Sequence, residues 1–226
     1  MLLSIIMPLA SSADLNRRLI KQLCQLPDTE ILICGHQIQV IEFQTDAPIQ
    51  FIDAPPGRAQ ALNQGASLAH GEFLWFLHAD SFIDNQTLQD LLNLIHDQGL
   101  PSALYYFDLD FVSDHQRCQQ LLRINSAGVY FRSRILLSPF GDQAFLISRK
   151  TFSNVAFPET ASYGEDHLFV WLCRQRGIAV KALPLRIGTS GRKYEAQGWS
   201  KTSCQHIMLW LKQWLPEVMR YLSKQA

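Results

Sequence analysis

Residues 71 to 80 read GEFLWFLHAD. Five large apolar side chains, residues 73–77, run without interruption and then stop at His78, Ala79 and Asp80. A short apolar run bounded by glycine and by polar residues fits a strand buried on both faces. In open α/β sheets ligands bind beyond the carboxyl ends of the strands, so Asp80 stands where a substrate or a metal ion can reach it. Asp80 could equally cap the helix that the next residues begin. A second acidic pair, Glu165 and Asp166, opens a helix-like stretch, a place where the helix dipole favours carboxylates whatever their function. Arg58 and Asn63 in GRAQALNQGA, Asp142 and Gln143 in GDQA, and Ser190, Gly191 and Arg192 in TSGRKYE complete the polar motifs. A guanidinium suits phosphate oxygens through its bidentate fork. Each of these motifs alone is a weak signal, and GDQA also reads as a turn before a strand.

The elements that must position these groups alternate along the chain. Residues 2–7 read as a buried strand. Residues 14–26 read as a helix, with Leu15, Leu19, Ile20, Leu23 and Leu26 at helical spacing behind an Asp14 cap. Strands follow at 30–34 and 38–43, and a third, IQFIDAPPG, ends in a turn. A helix over 59–69 leads into the strand at 73–77. This βαβ rhythm predicts a mostly parallel sheet with helices on its faces. Further on, the pattern predicts helices over 87–95 and 121–129, strands at ALYYFDLDF and QAFLISRKTF, and a helix from 164 stopped by Gly177. A strand over 178–183 follows. The last segment is an amphipathic helix with Ile207, Trp210, Leu211, Trp214, Leu215 and Val218 on one side, in which Pro216 predicts a kink.

The 226 residues carry 20 basic and 20 acidic side chains, so no global field recruits nucleic acid. Five cysteines without a CxxC pair indicate neither a zinc ribbon nor a disulfide framework, and a cytoplasmic setting with reduced thiols is the expectation. The apolar start MLLSIIMPLASSA lacks a leading cation and contains Pro8, which favours a core strand over a signal peptide. No uninterrupted apolar run approaches the ~20 residues of a membrane span. No GxGxxG follows the first strand, which argues against a Rossmann oxidoreductase or methyltransferase.

In the order GRAQALNQGA, FLHAD, GDQAFLI, EDHLF and TSGRKYE, these motifs resemble family 2 of the glycosyltransferases, and more narrowly its rSAM/selenodomain-associated subgroup. The resemblance runs from about residue 4 to 202. It implies the GT-A nucleotide-diphospho-sugar transferase fold, a Rossmann-like, mostly parallel sheet flanked by helices, here followed by the amphipathic helix. It implies one domain over 1–226, with residues 1–100 as the nucleotide-binding half, 101–198 as the acceptor and catalytic half, and 199–226 as the C-terminal helix. The implied reaction is inverting sugar transfer from a nucleotide-sugar donor to a glycan, lipid or small-molecule acceptor. Asp166 is then the general base with Glu165 beside it. Asp80 is the ligand of a Mn2+ or Mg2+ ion that neutralises the leaving diphosphate, with His78 in place of the first carboxylate of the family's Asp-x-Asp. Pro8, Ser12, Asp53, Arg58, Asn63, His78, Ser190 and Arg192 fall on the donor side, and Asp142 and Gln143 on the acceptor side.

Two departures stand out. The family's Asn-Glu after the first strand reads PLASSAD here, and its Asp-Gly-Gly-Ser after the second reads ILICGHQIQV. The acidic groups that hold the nucleoside are missing: either Asp53 or backbone groups take over, the donor differs, or the chain is a catalytically silent relative that binds a nucleotide sugar or glycan, which is the second reading. The C-terminal helix packs on the chain's own core, on a homodimer partner or at the membrane. Its few cations, Lys212, Arg220 and Lys224 against Glu217, limit the last to peripheral contact at the inner face.

Overall fold

The first strand, β1 (Leu3–Pro8), sorts its side chains to two faces, and the rest of the chain is built on both. Leu3, Ile5 and Met7 enter one apolar cluster and Ile6 enters the other. The structure, a computed structural model, describes residues 1–223 other than 12–14, 42, 44, 46, 114 and 162. On the first face lie α1 (Arg17–Leu23) and α3 (Asn85–Gln98), through Leu19, Ile20 and Leu23 and through Leu88, Leu91, Leu92 and Ile95. On the second lie α2 (Arg58–Leu68) and α6 (Glu165–Gln175), through Ala59, Ala61 and Leu62 and through Phe169, Val170 and Cys173. The strands between them are apolar on both sides, the signature of a sheet covered on both faces.

The sheet order is β3-β2-β1-β4-β7-β6-β8-β5. Strands β2 (Thr29–Gly35), β3 (Ile49–Asp53) and β4 (Phe73–Phe76) run parallel in register with β1. β7 (Phe145–Ser148) is antiparallel to both β4 and β6 (Ala103–Val112), and β6 is parallel to the long β8 (Ala179–Ser190). The short β5 (Ser81–Phe82) pairs antiparallel with the end of β8. The mostly parallel architecture expected from the βαβ rhythm is present. Helices α4 (Gln116–Arg134), α5 (Arg149–Phe152), α7 (Arg192–Gln197) and α8 (Trp199–Ser223) and a 3-10 turn at Gly141–Gln143 complete the chain.

At the amino ends of the strands, away from the site described below, Glu30 is 2% exposed yet ionised. Burial pushes its carboxyl up. Ser4 Oγ donating at 2.6 Å, His70 N–H at 2.7 Å and the His70 ring outweigh that and hold it low. Ser4 Oγ in turn accepts from Gly71 N–H, so one carboxylate ties β1 and β2 to the turn before β4.

Several elements differ from the sequence expectation. α1 starts at Arg17 behind Asn16, whose Oδ1 accepts from Arg18 and Leu19 N–H; the expected cap, Asp14, lies outside the described residues. None of the described residues among 38–43 is in a strand: the edge of β2 is already taken by β3, and Val40 is 74% exposed. The strand expected over QAFLISRKTF ends at Ser148, whose hydroxyl caps the α5 turn at Thr151 N–H. The strand at 178–183 continues to Ser190 beside β6. α8 continues past Pro216, and its expected face divides: Trp210, Trp214 and Val218 turn partly inward while Ile207, Leu211 and Leu215 are exposed.

Candidate active site

The carboxyl ends of β1, β2 and β4 open into a cavity of about 480 Å3. Pro8 closes β1, Gly35 closes β2, and His78, Ala79 and Asp80 follow β4, all lining this cavity with Arg58 and Arg192. The helix after β4 is capped by Asp84, whose Oδ1 accepts from Thr87 N–H at 2.7 Å. Asp80 is therefore not spent on that cap.

Arg58 is the first residue of α2, behind Gly57, whose φ of 125° only glycine adopts without strain. Its guanidinium reaches in two directions. One NH2 donates to Nε2 of His78, and Nε pairs with Glu165 Oε1 at 3.2 Å. His78 is held far below the ordinary imidazole range by burial, then by the charges of Arg58 and Lys193, so the neutral ring accepts that bond. Arg192 enters from the end of β8, its Nε–H donating to Ser190 Oγ at 3.0 Å.

Across Arg58 lies the second cluster of carboxylates. α6 begins behind Gly164, in the left-handed region at φ 66°, with Glu165 and Asp166 on its first turn. Asp166 Oδ2 accepts from Gly141 N–H at 2.7 Å and Oδ1 from His167 N–H at 2.8 Å. Burial raises Glu165, Asp166 beside it adds to the rise, and Arg58 opposes it. His167 is neutral, pushed down to about 4 by burial. Its Nε2 accepts from Trp171 Nε1–H, which leaves Nδ1 to donate to Ser138 Oγ, and Trp210 of α8 donates to the same hydroxyl.

Asp142 is pushed up to about 6 by burial; Arg132 and Arg58 oppose the rise, and Asp166 and Asp80 add to it. Its Oδ1 has no hydrogen-bond partner among the described residues, nor has Nε of Arg132. Arg132 of α4 stacks over the Phe140 ring at 3.7 Å. Leu137 and Ala144, at φ 48° and 47°, bracket this segment in a region that costs a non-glycine residue of order 1 kcal/mol.

The remaining expected residues have other duties. Gln143 is fully buried, donating to Phe107 C=O and accepting from Phe140 N–H, so it shapes the turn and offers nothing to an acceptor. Asn63 makes three 2.9 Å bonds to Phe157 and Glu159, clamping the approach to α6. Asp53 accepts from Gln37 N–H at 2.7 Å and holds the turn after β2. Ser12 lies outside the described residues. Arg132 and Ser138 escaped the sequence reading because no local motif marks them; His167, inside EDHLF, and Trp210, on the C-terminal helix, were read without a part in the site, and only the fold gathers all four.

Among the described residues no group of three or more His, Cys, Asp or Glu side chains could hold a metal ion. Asp80 alone suits a Mg2+ or Mn2+ that takes its other oxygens from a diphosphate, a usual arrangement for Mg2+. His78 does not assist through Nε2, which is engaged with Arg58.

The fold is similar to that of S. aureus TarS 1-349 in complex with UDP, with a TM-score of 0.61 and 17% identity over 84% of this chain. It is also similar to glucosyl-3-phosphoglycerate synthase from Mycobacterium tuberculosis in complex with Mn2+, UDP and phosphoglyceric acid, with a TM-score of 0.55 and 15% identity over 83% of this chain. The chain spans 60% of the first and 69% of the second. No curated protein matches the chain in sequence. The model of the family described as Glycosyl transferase family 2 matches residues 38–154, which include α2, the end of β4 and the Gly141 turn. That match takes in more than half of the sequence, and the chain belongs to glycosyl transferase family 2.

Proposed function

We propose that the chain is an inverting glycosyltransferase that moves a sugar from a nucleotide-diphosphate donor to an acceptor hydroxyl, assisted by a divalent cation. One observation carries the reading: Arg58 spans from His78, two residues before Asp80, to Glu165, next to Asp166, at the mouth of the cavity. In this reading Asp80, as metal ligand, and Asp166, as base, stand on either side of one guanidinium, and the contacts of Arg58 support it. Residues 1–100 then hold most of the donor, with Arg192 reaching the same cavity from the end of β8, and 101–198 supply the base and the acceptor side.

In this reading the diphosphate lies along the strand ends, with Arg58 and Arg192 on its oxygens. Asp80 would hold a Mn2+ or Mg2+ ion, which would supply positive charge against the leaving diphosphate. Asp166 takes the proton of the acceptor hydroxyl, its carboxylate aimed by Gly141 N–H. Asp142 and Arg132 face the acceptor side. TarS structures hold UDP and UDP-GlcNAc, and the mycobacterial synthase holds UDP with Mn2+, so a uridine diphosphate sugar is the first donor to test.

A second reading, a silent relative that binds a nucleotide sugar or glycan, is favoured by the nucleoside side. There Asp53 is engaged by Gln37 N–H and His78 replaces a carboxylate. Calorimetric titration of UDP with and without Mn2+, followed by donor hydrolysis, separates the two. The transferase reading expects metal-dependent binding that Asp80→Ala removes, and hydrolysis that Asp166→Asn removes. Binding without any hydrolysis supports the silent relative, and UDP affinity indifferent to metal and to Asp80 would sink the metal-assisted mechanism.

A further inference from the structure

Helices α4 and α8 each present an apolar strip to solvent in addition to the side they bury. On α4 the strip is Leu121, Ile124 and Phe131, continued by Ile135 at the C-cap; on α8 it is Met208, Leu211, Leu215 and Met219, with Ile207 alongside. All are between 39% and 64% exposed. Their spacings of three, four and seven residues along each strip are those of a single helical face. The two helices meet at Asn125, which donates to Ser203 Oγ at 3.2 Å and accepts from Trp199 Nε1–H at 2.9 Å. Leu121 is one turn from Asn125 and Ile124 is its neighbour, so the strip of α4 borders that seam.

The charge of this region departs from that of the chain. α4 carries Arg117, Arg123, Arg132 and Arg134 and no acid; α8 carries Lys201, Lys212 and Arg220 against Glu217. The two helices hold seven cations and one acid, in a sequence with 20 of each. Arg134 pairs with Asp108 and Arg220 with the buried Glu217. Arg117, Arg123, Lys201 and Lys212 are exposed, with no ion-pair partner among the described residues. By helical geometry Arg117 shares the line of Ile124 and Phe131, and Lys201 and Lys212 border the line of Met208 and Met219.

We infer that this face docks on an anionic lipid bilayer, its apolar strips entering the boundary between headgroups and acyl chains and its cations meeting lipid phosphates. Apolar and basic residues interleaved on one surface are what an anionic interface attracts. A two-fold pairing of the face with a second copy would set the same cations against each other. No described helix is long and apolar enough to cross a membrane, so the contact is peripheral. Trp210 of α8 bonds Ser138, which bonds His167 beside Asp166, so the docked face lies close behind the acceptor side. That the acceptor is lipid-borne is a consequence that rests on the transferase reading; the docking does not.

The test is co-sedimentation of the full chain with vesicles of phosphatidylcholine alone, or with about one third phosphatidylglycerol. Binding should be at least tenfold stronger to the anionic vesicles and fall several-fold when salt shortens the Debye length to about 4 Å. Leu211→Glu with Leu215→Glu, and separately Lys201→Glu with Lys212→Glu, should each lose at least tenfold in vesicle affinity while melting temperature and UDP binding stay unchanged. Failure of the unmutated chain to bind anionic vesicles overturns the inference. A dimer in analytical ultracentrifugation that the Leu211 and Leu215 changes dissolve would assign the face to a second copy instead. Loss of UDP binding by the unmutated chain would count against the transferase reading and leave the docking result intact.

Discussion

The main-chain N–H of Gly141 donates to Oδ2 of Asp166 at 2.7 Å, fastening the turn before β7 to the first turn of α6. A Cβ at Gly141 would stand 2.9 Å from that oxygen and 3.1 Å from an Arg58 NH2. Gly141→Ala should therefore displace Asp166 and Arg58 together. We expect turnover to fall at least tenfold and the melting temperature to fall as well, since the new methyl would also stand 3.1 Å from Asp166 Cβ, which has less freedom to move than the two side-chain ends. Unchanged turnover once an acceptor is found would separate Asp166 from catalysis.

Asp142 gives the site a pH dependence of known sign. Its folded pKa, about 6, is raised above the ordinary aspartate value, so the unfolded chain ionises first and stability declines as pH rises toward 6. Asp142→Asn removes that penalty. It should raise the melting temperature at pH 7.5, by an amount corresponding to about 1–3 kcal/mol, and leave it nearly unchanged near pH 4. Equal effects at both pH values would mean that lost packing, not ionisation, is being measured.

Glu30 works in the opposite sense. Its folded pKa is depressed by Ser4 and His70, so the stability it contributes is complete above the unfolded value of about 4.3 and is lost as pH falls below it. Glu30→Gln should flatten the acid limb of a stability–pH profile and lower stability at pH 7, where an amide cannot accept all three donors. A mutant whose acid limb matches the parent's would show that other carboxylates dominate.

Gly65 tests packing against helix propensity. In an exposed helix Gly→Ala gains up to about 1 kcal/mol. Here the new methyl would lie 2.6 Å from Cys34 Sγ and 2.7 Å from Ile6 Cγ2, inside the cluster that seats α2 on β1 and β2. Overpacking a core costs roughly 1–3 kcal/mol, so Gly65→Ala should destabilise on balance, measured by denaturant midpoint at constant slope. A stabilised variant would mean that α2 can lift off the sheet freely.

The sheet and the strand-end position of Asp80 were legible because β1, β2 and β4 are short apolar runs. The extension of β8 was not, although Leu183, Leu185, Ile187 and Thr189 alternate inward. Pro184 breaks the local pattern, and only the tertiary context shows that it falls where the β6–β8 register shifts, between Tyr106 and Asp108. The stretch 38–43 misled in the opposite direction: its residues suit a strand, but it is β3, not this stretch, that takes the place beside β2. The role proposed for Asp166 rests on resemblance, since an acid at a helix start is commonplace. Arg132 and Ser138 were not legible at all, because their roles arise from contacts between segments far apart in sequence.

The central, reversed strand β7 has a consequence for the order of folding. β3, β2, β1 and β4 are complete within the first 76 residues, whereas Phe73 of β4 must wait for its partner Ser148, and Ala103 of β6 for Ala179. Closing loops of this length slows folding. During synthesis the amino-terminal strands can condense while β4 still has an open edge, a template for association with another chain until β7 arrives. Asp80 is thus in place well before Asp166 exists as a partner. The interval during which β4 lies uncovered, set by about 70 residues of further translation at typical rates, is when a nascent chain of this fold most needs a chaperone.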